Sequence, residues 1–321
     1  MRMDLYKEEK ERKFWSGPAT FLIMVIICNF FWAIAVPINK ISNQAFSLES
    51  TDTMALFTFA GIRLVGAGLI ALAFCCLKGI KLLPAKKELS SLLKLGLLMS
   101  AGQYACLYLG TAMSPGVVVS ILSSSGSFEG ILFSSLVFKN DKLTFRKLLG
   151  CALGVIAVVI LNIQDLHTGI TISVLGSALI ILSQGCGTLG AVYLKYISNG
   201  RPAIWIGGWQ SLLGGLALLA AGLLGGGTVK APELSVVSVG SVVVLIIISA
   251  LALIISNQLY KYNDISRVVI FSLLLPVFGA LTSAVMLGES LASTALLASL
   301  AIDCAGVWLV SVERKKKKGE K

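Results

Sequence analysis

Three ionisable side chains lie inside long apolar stretches of the sequence, where a charged group is costly. They are Arg63 in "FTFAGIRLVGAGLIALAFCC", Glu129 in "SILSSSGSFEGILFSSL" and Asp303 in "SLAIDCAGVWLV". If such stretches cross a lipid bilayer, a charge within them faces the protein interior and has a partner there. These residues are therefore the first candidates for binding or proton transfer.

The guanidinium of Arg63 can hold the carboxylate or phosphate group of a substrate through two parallel hydrogen bonds. The structural alternative is an ion pair with another side chain, or extension of the long side chain toward the membrane surface. The sequence leaves both roles open.

Glu129 and Asp303 are candidates for proton coupling, because a carboxyl group inside a span can bind and release a proton. The eight residues that begin at Ser123 are mostly serine and glycine, which suits a water-lined wall or tight helix packing. Ser123 is therefore a candidate substrate ligand. The structural alternatives are a salt bridge from Glu129 to Arg63 or Lys94, and a hydrogen bond or homodimer contact through Asp303.

Amide and aromatic side chains deep within apolar stretches must find partners inside the protein, and some of them are expected to line a binding site. The further candidates for contact with a substrate are Trp32, Tyr104, Gln184, Trp209 and Gln258. Pro276 is a candidate gating point, because proline frees a backbone carbonyl and bends a helix.

The sequence predicts neither a metal site nor a cofactor. Its single histidine is His167, and its seven cysteines are scattered without a C-x-x-C pair. The G-x-x-x-x-G-K-[ST] loop of ATP-driven proteins is missing from the sequence.

Stretches of about 20 apolar residues, the length that spans a bilayer, recur along the whole chain. Of the 321 residues, 56% are hydrophobic and only 13% are charged. The fold class predicted from this pattern is an all-α polytopic membrane protein with ten transmembrane helices. The expected spans are 18–40, 54–77, 91–110, 115–138, 145–163, 171–194, 204–225, 235–260, 266–287 and 291–312.

The net charge of +11 favours a membrane topology and not a nucleic-acid partner, because of where the charges lie. With ten spans and a cytoplasmic N-terminus, 23 of the 27 lysines and arginines fall on the inner side. The positive-inside rule therefore predicts that both termini are cytoplasmic. The expected location is the inner membrane of a bacterium. The basic tail "ERKKKKGEK" either sets this topology or binds anionic lipid.

The two halves of the chain resemble each other. Four segments of the first half recur in the same order and at nearly constant spacing in the second half. The pairs are 63–73 with 210–220, 107–122 with 259–274, Lys40 with Lys195, and 138–143 with 286–291. The predicted repeats are therefore 1–165 and 166–321, with five spans each. An odd number of spans per repeat inverts the second one, as in transporters that work by alternating access.

This organisation resembles the drug/metabolite transporter superfamily, in particular its EamA-type branch. The similar segments are "NFFWAIAVPINK" (29–40), "FAGIRL" (59–64), "YACLYLGTAMSPG" (104–116) and "SLLLPVFGALTSAVMLGES" (272–290). The chain departs from the pattern at Phe128, which we set against Pro276, and at Ala33, where a glycine is expected. The resemblance implies amino acids, related metabolites or organic cations as substrates, often exported.

The sequence thus predicts a secondary active transporter of a small polar metabolite, with protons as a candidate coupling ion. A membrane-embedded lipid-modifying enzyme is the alternative from another class, but the sequence has no G-x-S-x-G motif, His/Asp cluster or long active-site loop. A passive channel is the third alternative, although a channel does not require two inverted halves.

Overall fold

The computed structural model describes residues 2–49, 51–114, 116–161, 173–198, 201–229, 235–287, 297–302 and 304–309. Within these ranges the secondary structure is helical and contains no strand. The α-helices are α1 (Arg2–Ser16), α2 (Pro18–Ala45), α3 (Thr53–Leu77), α4 (Lys86–Gly96), α5 (Gln103–Ala112), α6 (Gly116–Ser123), α7 (Ser125–Val137), α8 (Phe145–Leu161), α9 (Val174–Ile197), α10 (Ala203–Leu224), α11 (Val236–Tyr262), α12 (Ile265–Val269) and α13 (Leu275–Leu287). Residues 297–302 and 304–309 are also helical.

Short polar residues begin several of the long apolar helices. Asp52 accepts a hydrogen bond from Ala55 N at 3.0 Å before α3, and Ser173 accepts one from Gly176 N at 3.1 Å before α9. Ser235 does the same for Ser238 N before α11, at 3.1 Å. These side chains satisfy backbone N–H groups that have no partner within the first turn.

Seven helical stretches in the described ranges are long and apolar enough to cross a membrane. They are α2, α3, α4 to α5, α9, α10, α11 and α12 to α13. The fourth predicted span is divided into α6 and α7, and the fifth, α8, has 17 residues. The protein is therefore an integral membrane protein, and the count of ten spans stays a prediction.

Two stretches depart from α-helical geometry in the middle of spans. Leu97–Gly102, between α4 and α5, is a π-helix, and Ile270–Leu274, between α12 and α13, is a 3-10 helix. The second one precedes Pro276, which has no N–H to donate to the preceding turn. The break between α6 and α7 falls at Ser124, one helical turn before the Phe128 that we set against Pro276. When the alignment of 107–122 with 259–274 is continued along the chain, Ser124 corresponds to Pro276 instead.

α3 and α10 contact each other through equivalent residues when 63–73 is aligned with 210–220. Each helix places a glycine against the backbone of the other. A methyl group on Gly68 would lie 2.6 Å from Leu212 N, and one on Gly215 would lie 2.7 Å from Val65 N. In that alignment Gly215 corresponds to Gly68, and Leu212 corresponds to Val65. Residues related by one of the repeat alignments are termed matched residues below.

A second glycine pair repeats this reciprocal contact along the same two helices. A methyl group on Gly61 would meet Leu219 N at 2.6 Å, and one on its matched residue Gly208 would meet Leu72 at 2.9 Å. Leu72 and Leu219 are themselves matched. Reciprocal contacts of this kind are those of a two-fold relation. Matched helices pack alike elsewhere too, since α11 lies on α2 as α9 lies on α5, and α13 lies on α2 as α7 lies on α9.

Polar contacts join the two halves of the chain near the ends of the helices. Arg201 donates to both carboxylate oxygens of Glu88, at 2.8 Å and 2.9 Å. Asp141, which is buried, accepts hydrogen bonds from Lys147 Nζ at 2.7 Å, from Ser266 N at 3.1 Å and from the hydroxyl of Ser266. Asp141 thereby ties the loop after α7 to the start of α12.

We expect Asp141→Asn to lower the melting temperature at neutral pH, because it leaves the buried Lys147 ammonium without its counterion. Losing one partner of a buried pair costs about 3–5 kcal/mol of unfolding free energy. Burial raises the pKa of Asp141, but hydrogen bonds from Lys147 and Ser266 outweigh it and hold the pKa below its ordinary value of 3.8.

The sign of the pH dependence follows from this lowered pKa. The stabilisation by the Asp141 carboxylate is complete above its unfolded pKa and is lost as the pH falls through the lower folded value. Thermal melts between neutral pH and strongly acidic pH should therefore show a smaller acid-induced fall for Asp141→Asn than for the wild type. A second variant, Asp141→Asn with Lys147→Met, should recover part of the neutral-pH stability. Equal melts for wild type and Asp141→Asn would contradict the assignment.

Candidate binding cavity

A cavity of about 390 Å³ lies between the two halves, near the middle of the spans. Its wall includes residues from α2, α3, the stretch from the π-helix to α7, and α9 to α13. This volume falls within the range of about 300–1,000 Å³ that is usual for small-molecule sites. The cavity is large enough for a small metabolite.

The wall combines uncharged polar groups with apolar surface. Its amides are Asn29, Gln103, Gln184 and Gln210. Its hydroxyl groups come from Ser100, Ser123, Ser124, Thr188, Ser256 and Ser272, and its aromatic rings from Trp32, Tyr104 and Tyr260. Among the described residues, no Asp, Glu, Lys, Arg or His lines it. Such a wall can bind the polar groups of a substrate by hydrogen bonds and cover its apolar part.

In several pairs of matched residues, both members line the cavity. The lining pairs include Asn29 with Gln184, Tyr104 with Ser256, and Ser124 with Pro276. The π-helix contributes Met99 and Ser100, and the 3-10 helix contributes Ser272 and Leu273. Departures from α-helical hydrogen bonding in a span are tolerated beside a cavity, where freed backbone groups find polar partners.

Arg63 lies behind this wall and is only 4% exposed. Its Nη1 donates to Asn39 Oδ1 at 3.1 Å, and its guanidinium carbon lies 5.3 Å from the centre of the Tyr104 ring. Its Nε is buried with no hydrogen-bond partner. Within the described ranges no carboxylate forms an ion pair with it. The cation is therefore held by neutral groups alone.

A chain of side-chain hydrogen bonds runs from the cavity wall into the protein. Gln210 Nε2 donates to Ser100 Oγ at 3.3 Å, and Asn257 Nδ2 donates to Gln210 Oε1 at 3.4 Å. Asn257 is fully buried, and its Oδ1 has no partner. These groups fix the amide of Gln210 at the cavity.

Glu129 lies beside the cavity and not on its wall. Its Oε1 accepts a hydrogen bond from Ser125 Oγ at 2.7 Å, and a methyl group on Gly185 of α9 would lie 3.0 Å from its Oε2. The proposed salt bridges to Arg63 or Lys94 are not formed in the described part of the chain, since Arg63 faces Asn39 and Lys94 is exposed. Glu129 thus rests in a neutral setting between α7 and α9.

The remaining candidates divide into three groups. Trp32, Tyr104, Ser123, Gln184 and Pro276 line the cavity. Trp209 and Gln258 do not: the indole N–H of Trp209 donates to Leu82 O at 3.0 Å, and Gln258 Oε1 is buried without a hydrogen-bond partner. Asp303 and the basic tail at 313–321 lie outside the described residues.

The sequence pattern of the EamA-like transporter family matches this chain twice, at residues 19–163 and 173–312. The chain belongs to the EamA-like transporter family. This EamA-like transporter is therefore a member of the drug/metabolite transporter superfamily, and its family implies a small-molecule substrate.

This EamA-like transporter is similar to proteins of bacteria and of a plant. It is 28% identical to a probable amino-acid metabolite efflux pump of Salmonella typhimurium, over 70% of this chain and 77% of the pump. It is 23% identical to a WAT1-related chloroplastic protein of Arabidopsis thaliana, over 92% of this chain and 71% of that protein. One solved crystal structure shares the fold, with a TM-score of 0.72 at 17% identity, covering 90% of this chain and 98% of that one.

Asn29 and Tyr260 are among the lining residues of this EamA-like transporter that were not sequence-based candidates. Asn29 reaches the cavity from α2, and Tyr260 reaches it from α11. The repeat carried the missing signal for Asn29, because the alignment that pairs Lys40 with Lys195 also pairs Asn29 with Gln184. Tyr260 lies near the end of a span, where tyrosine is typical of an interface anchor, and only the packing of α11 places it at the cavity.

Proposed function

We propose that this chain is a secondary active transporter that moves a small polar metabolite, such as an amino acid, by alternating access. The observation that carries the proposal is the uncharged polar cavity enclosed by matched residues of both halves. The names of the bacterial relatives favour export of an amino-acid metabolite.

The proposal includes ten spans arranged as two inverted repeats, residues 1–165 and 166–321. Three observations support it: the reciprocal contacts of α3 with α10, the departures from α-helical geometry near the matched residues Ser124 and Pro276, and the double match to the family pattern. The clustering of basic residues supports cytoplasmic termini in a bacterial inner membrane. Binding of anionic lipids to the tail and a homodimer contact at Asp303 remain predictions.

In this proposal Arg63 acts through the electric field of its buried positive charge beside the cavity. A positive charge in a low-dielectric surrounding favours the carboxylate end of a substrate at the side of Tyr104. Trp32, Ser123 and Gln184 are proposed to contact the rest of the substrate, and Pro276 to permit bending of the ninth span.

Counterflow in proteoliposomes tests the proposal. Vesicles loaded with an unlabelled amino acid are diluted into a trace of the labelled one, for each of a panel of amino acids. A carrier should accumulate label transiently for its substrates. A channel should only equilibrate it, and an enzyme should form a product without exchange. Absence of counterflow for every metabolite in the panel would contradict the carrier assignment.

Glu129→Gln should remove the pH dependence of transport while leaving the protein folded. The glutamine keeps the size of the side chain and its hydrogen bond to Ser125, but it cannot take up a proton. Transport is measured with an imposed pH gradient and without one, using Ser125→Ala as the control that keeps the carboxyl group. If proton-linked transport in Glu129→Gln equals that of the wild type, Glu129 is not the coupling group.

A further inference from the structure

Two pairs of matched residues occupy unequal positions in the structure. Gln210 lines the cavity, but its matched residue Arg63 is packed behind Tyr104. Tyr260 lines the cavity, but its matched residue Tyr108 packs against Phe57 and Tyr104, with ring centres 6.4 Å and 6.2 Å away. In both pairs the member from the second half faces the cavity and the member from the first half does not.

The helices that carry these residues are related by reciprocal packing. The contact of Gly68 with Leu212 is equivalent to the contact of Gly215 with Val65. This contact between α3 and α10 is therefore preserved if the two halves exchange their conformations. α5 and α11 are also matched. α5 packs on α9 and α11 packs on α2, and α9 and α2 are themselves matched. A protein built from two such halves has a second conformation in which each half adopts the arrangement of the other.

We propose that Arg63 becomes a cavity residue only in this oppositely facing state, where its guanidinium binds the carboxylate group of the substrate. Arg63 and Tyr108 then occupy the places that Gln210 and Tyr260 hold in the present structure, and Gln210 leaves the cavity. The inference rests on the proposed transport function and adds to it a substrate class, carboxylate-bearing metabolites, and a difference between the two faces.

Arg63 has a buried hydrogen-bond donor that is unpaired in its present surroundings. The guanidinium donates to Asn39 Oδ1, and its buried Nε has no hydrogen-bond partner. A carboxylate can accept two parallel hydrogen bonds from such a group, and these are stronger than bonds between neutral groups. Gln210 already has neutral partners in Ser100 and Asn257. A substrate carboxylate is therefore held by an amide in one state and by a guanidinium in the other.

The distribution of basic residues indicates which side of the membrane each of these residues lies toward. Tyr260 precedes Lys261, at the end of α11 that the positive-inside rule assigns to the cytoplasm. Asn39 precedes Lys40, near the end of α2 assigned to the outside. Tyr260 and Arg63, which is bonded to Asn39, therefore lie toward opposite sides of the membrane, and the two states are expected to expose them to opposite faces.

Cysteine labelling tests this exchange. Arg63→Cys, Gln210→Cys and Ala67→Cys are made in a full-length chain whose seven cysteines are replaced and which retains counterflow. A membrane-impermeant maleimide is applied to right-side-out and to inside-out vesicles. We expect Cys at 63 to react from one face of the membrane and Cys at 210 from the other. Ala67→Cys is the control and should not react. Ala67 is fully buried, and its matched residue Gly214 does not line the cavity.

Tyr108→Cys and Tyr260→Cys keep the test decisive if Arg63→Cys does not fold, since they are predicted to follow 63 and 210. The inference is overturned if positions 63 and 108 react from the same face as 210 and 260, or stay as unreactive as position 67. Counterflow is measured on vesicles of the cysteine-free parent chain, because Arg63→Cys removes the proposed binding group. Counterflow without labelling at 63 and 108 overturns this inference alone, whereas loss of counterflow in the wild type removes the proposed function and this inference together.

Discussion

Gly68→Val should leave little folded protein in the membrane. A side chain at this position would begin 2.6 Å from the backbone nitrogen of Leu212, and α10 cannot move away without losing its other close contacts with α3. Overpacking of a well-packed interior costs about 1–3 kcal/mol, and a clash with backbone belongs at the upper end or beyond it. The measurement is the melting temperature and the monodisperse yield of the purified protein.

Gly215→Val should have an effect of the same size, because its contact with Val65 is the reciprocal of the contact between Gly68 and Leu212. Gly240→Val is the control, since a methyl group at this glycine meets nothing within 4 Å. Equal stability of the variants at 68 and 240 would show that α3 and α10 do not meet closely in the membrane. A large effect at 68 and none at 215 would contradict the reciprocal packing.

Arg63→Gln should abolish most transport of carboxylate-bearing substrates without unfolding the protein. The substitution gives position 63 the side chain of its matched residue 210, and it relieves the burial of an unpaired cation. Hydrogen bonds that involve a charged group contribute about 1.5–3 kcal/mol. Since each ~1.4 kcal/mol is a tenfold change, substrate affinity should fall by roughly tenfold to a hundredfold.

The control for Arg63→Gln is Lys94→Gln, which removes a cation from a neighbouring span at an exposed position. Counterflow and melting temperature are measured for both variants. We expect Lys94→Gln to match the wild type in both measurements. Normal transport of carboxylate substrates by Arg63→Gln would make the arginine structural and end its proposed role in binding.

The long helices follow closely from the sequence where apolar runs have clear polar ends. The second and seventh spans, predicted at 54–77 and 204–225, are found at Thr53–Leu77 and Ala203–Leu224. The first span continues past Lys40 to Ala45, because a long lysine side chain can reach water from within a helix. The π-helix at Leu97–Gly102 has no proline or other local marker, so tertiary packing decides it.

The site was partly predictable for a related reason. Apolarity and periodicity indicate that a polar side chain is buried, but they do not say which wall it faces. Gln184 and Trp209 are comparable by that criterion, yet one lines the cavity and the other bonds to Leu82 O. The neutral surroundings of Arg63 depend on which helices meet around it, which spacing along one helix does not contain.

Binding of the counterflow substrate to purified protein tests most directly whether the central cavity is the transport site. Asn29→Leu and Gln184→Leu remove the matched amides that the two halves contribute, and Gln258→Leu removes an amide that does not line the cavity. We predict that the first two variants each lose binding of the labelled substrate at unchanged melting temperature, while Gln258→Leu retains it. Full binding by Asn29→Leu and Gln184→Leu would place the substrate elsewhere and contradict the account.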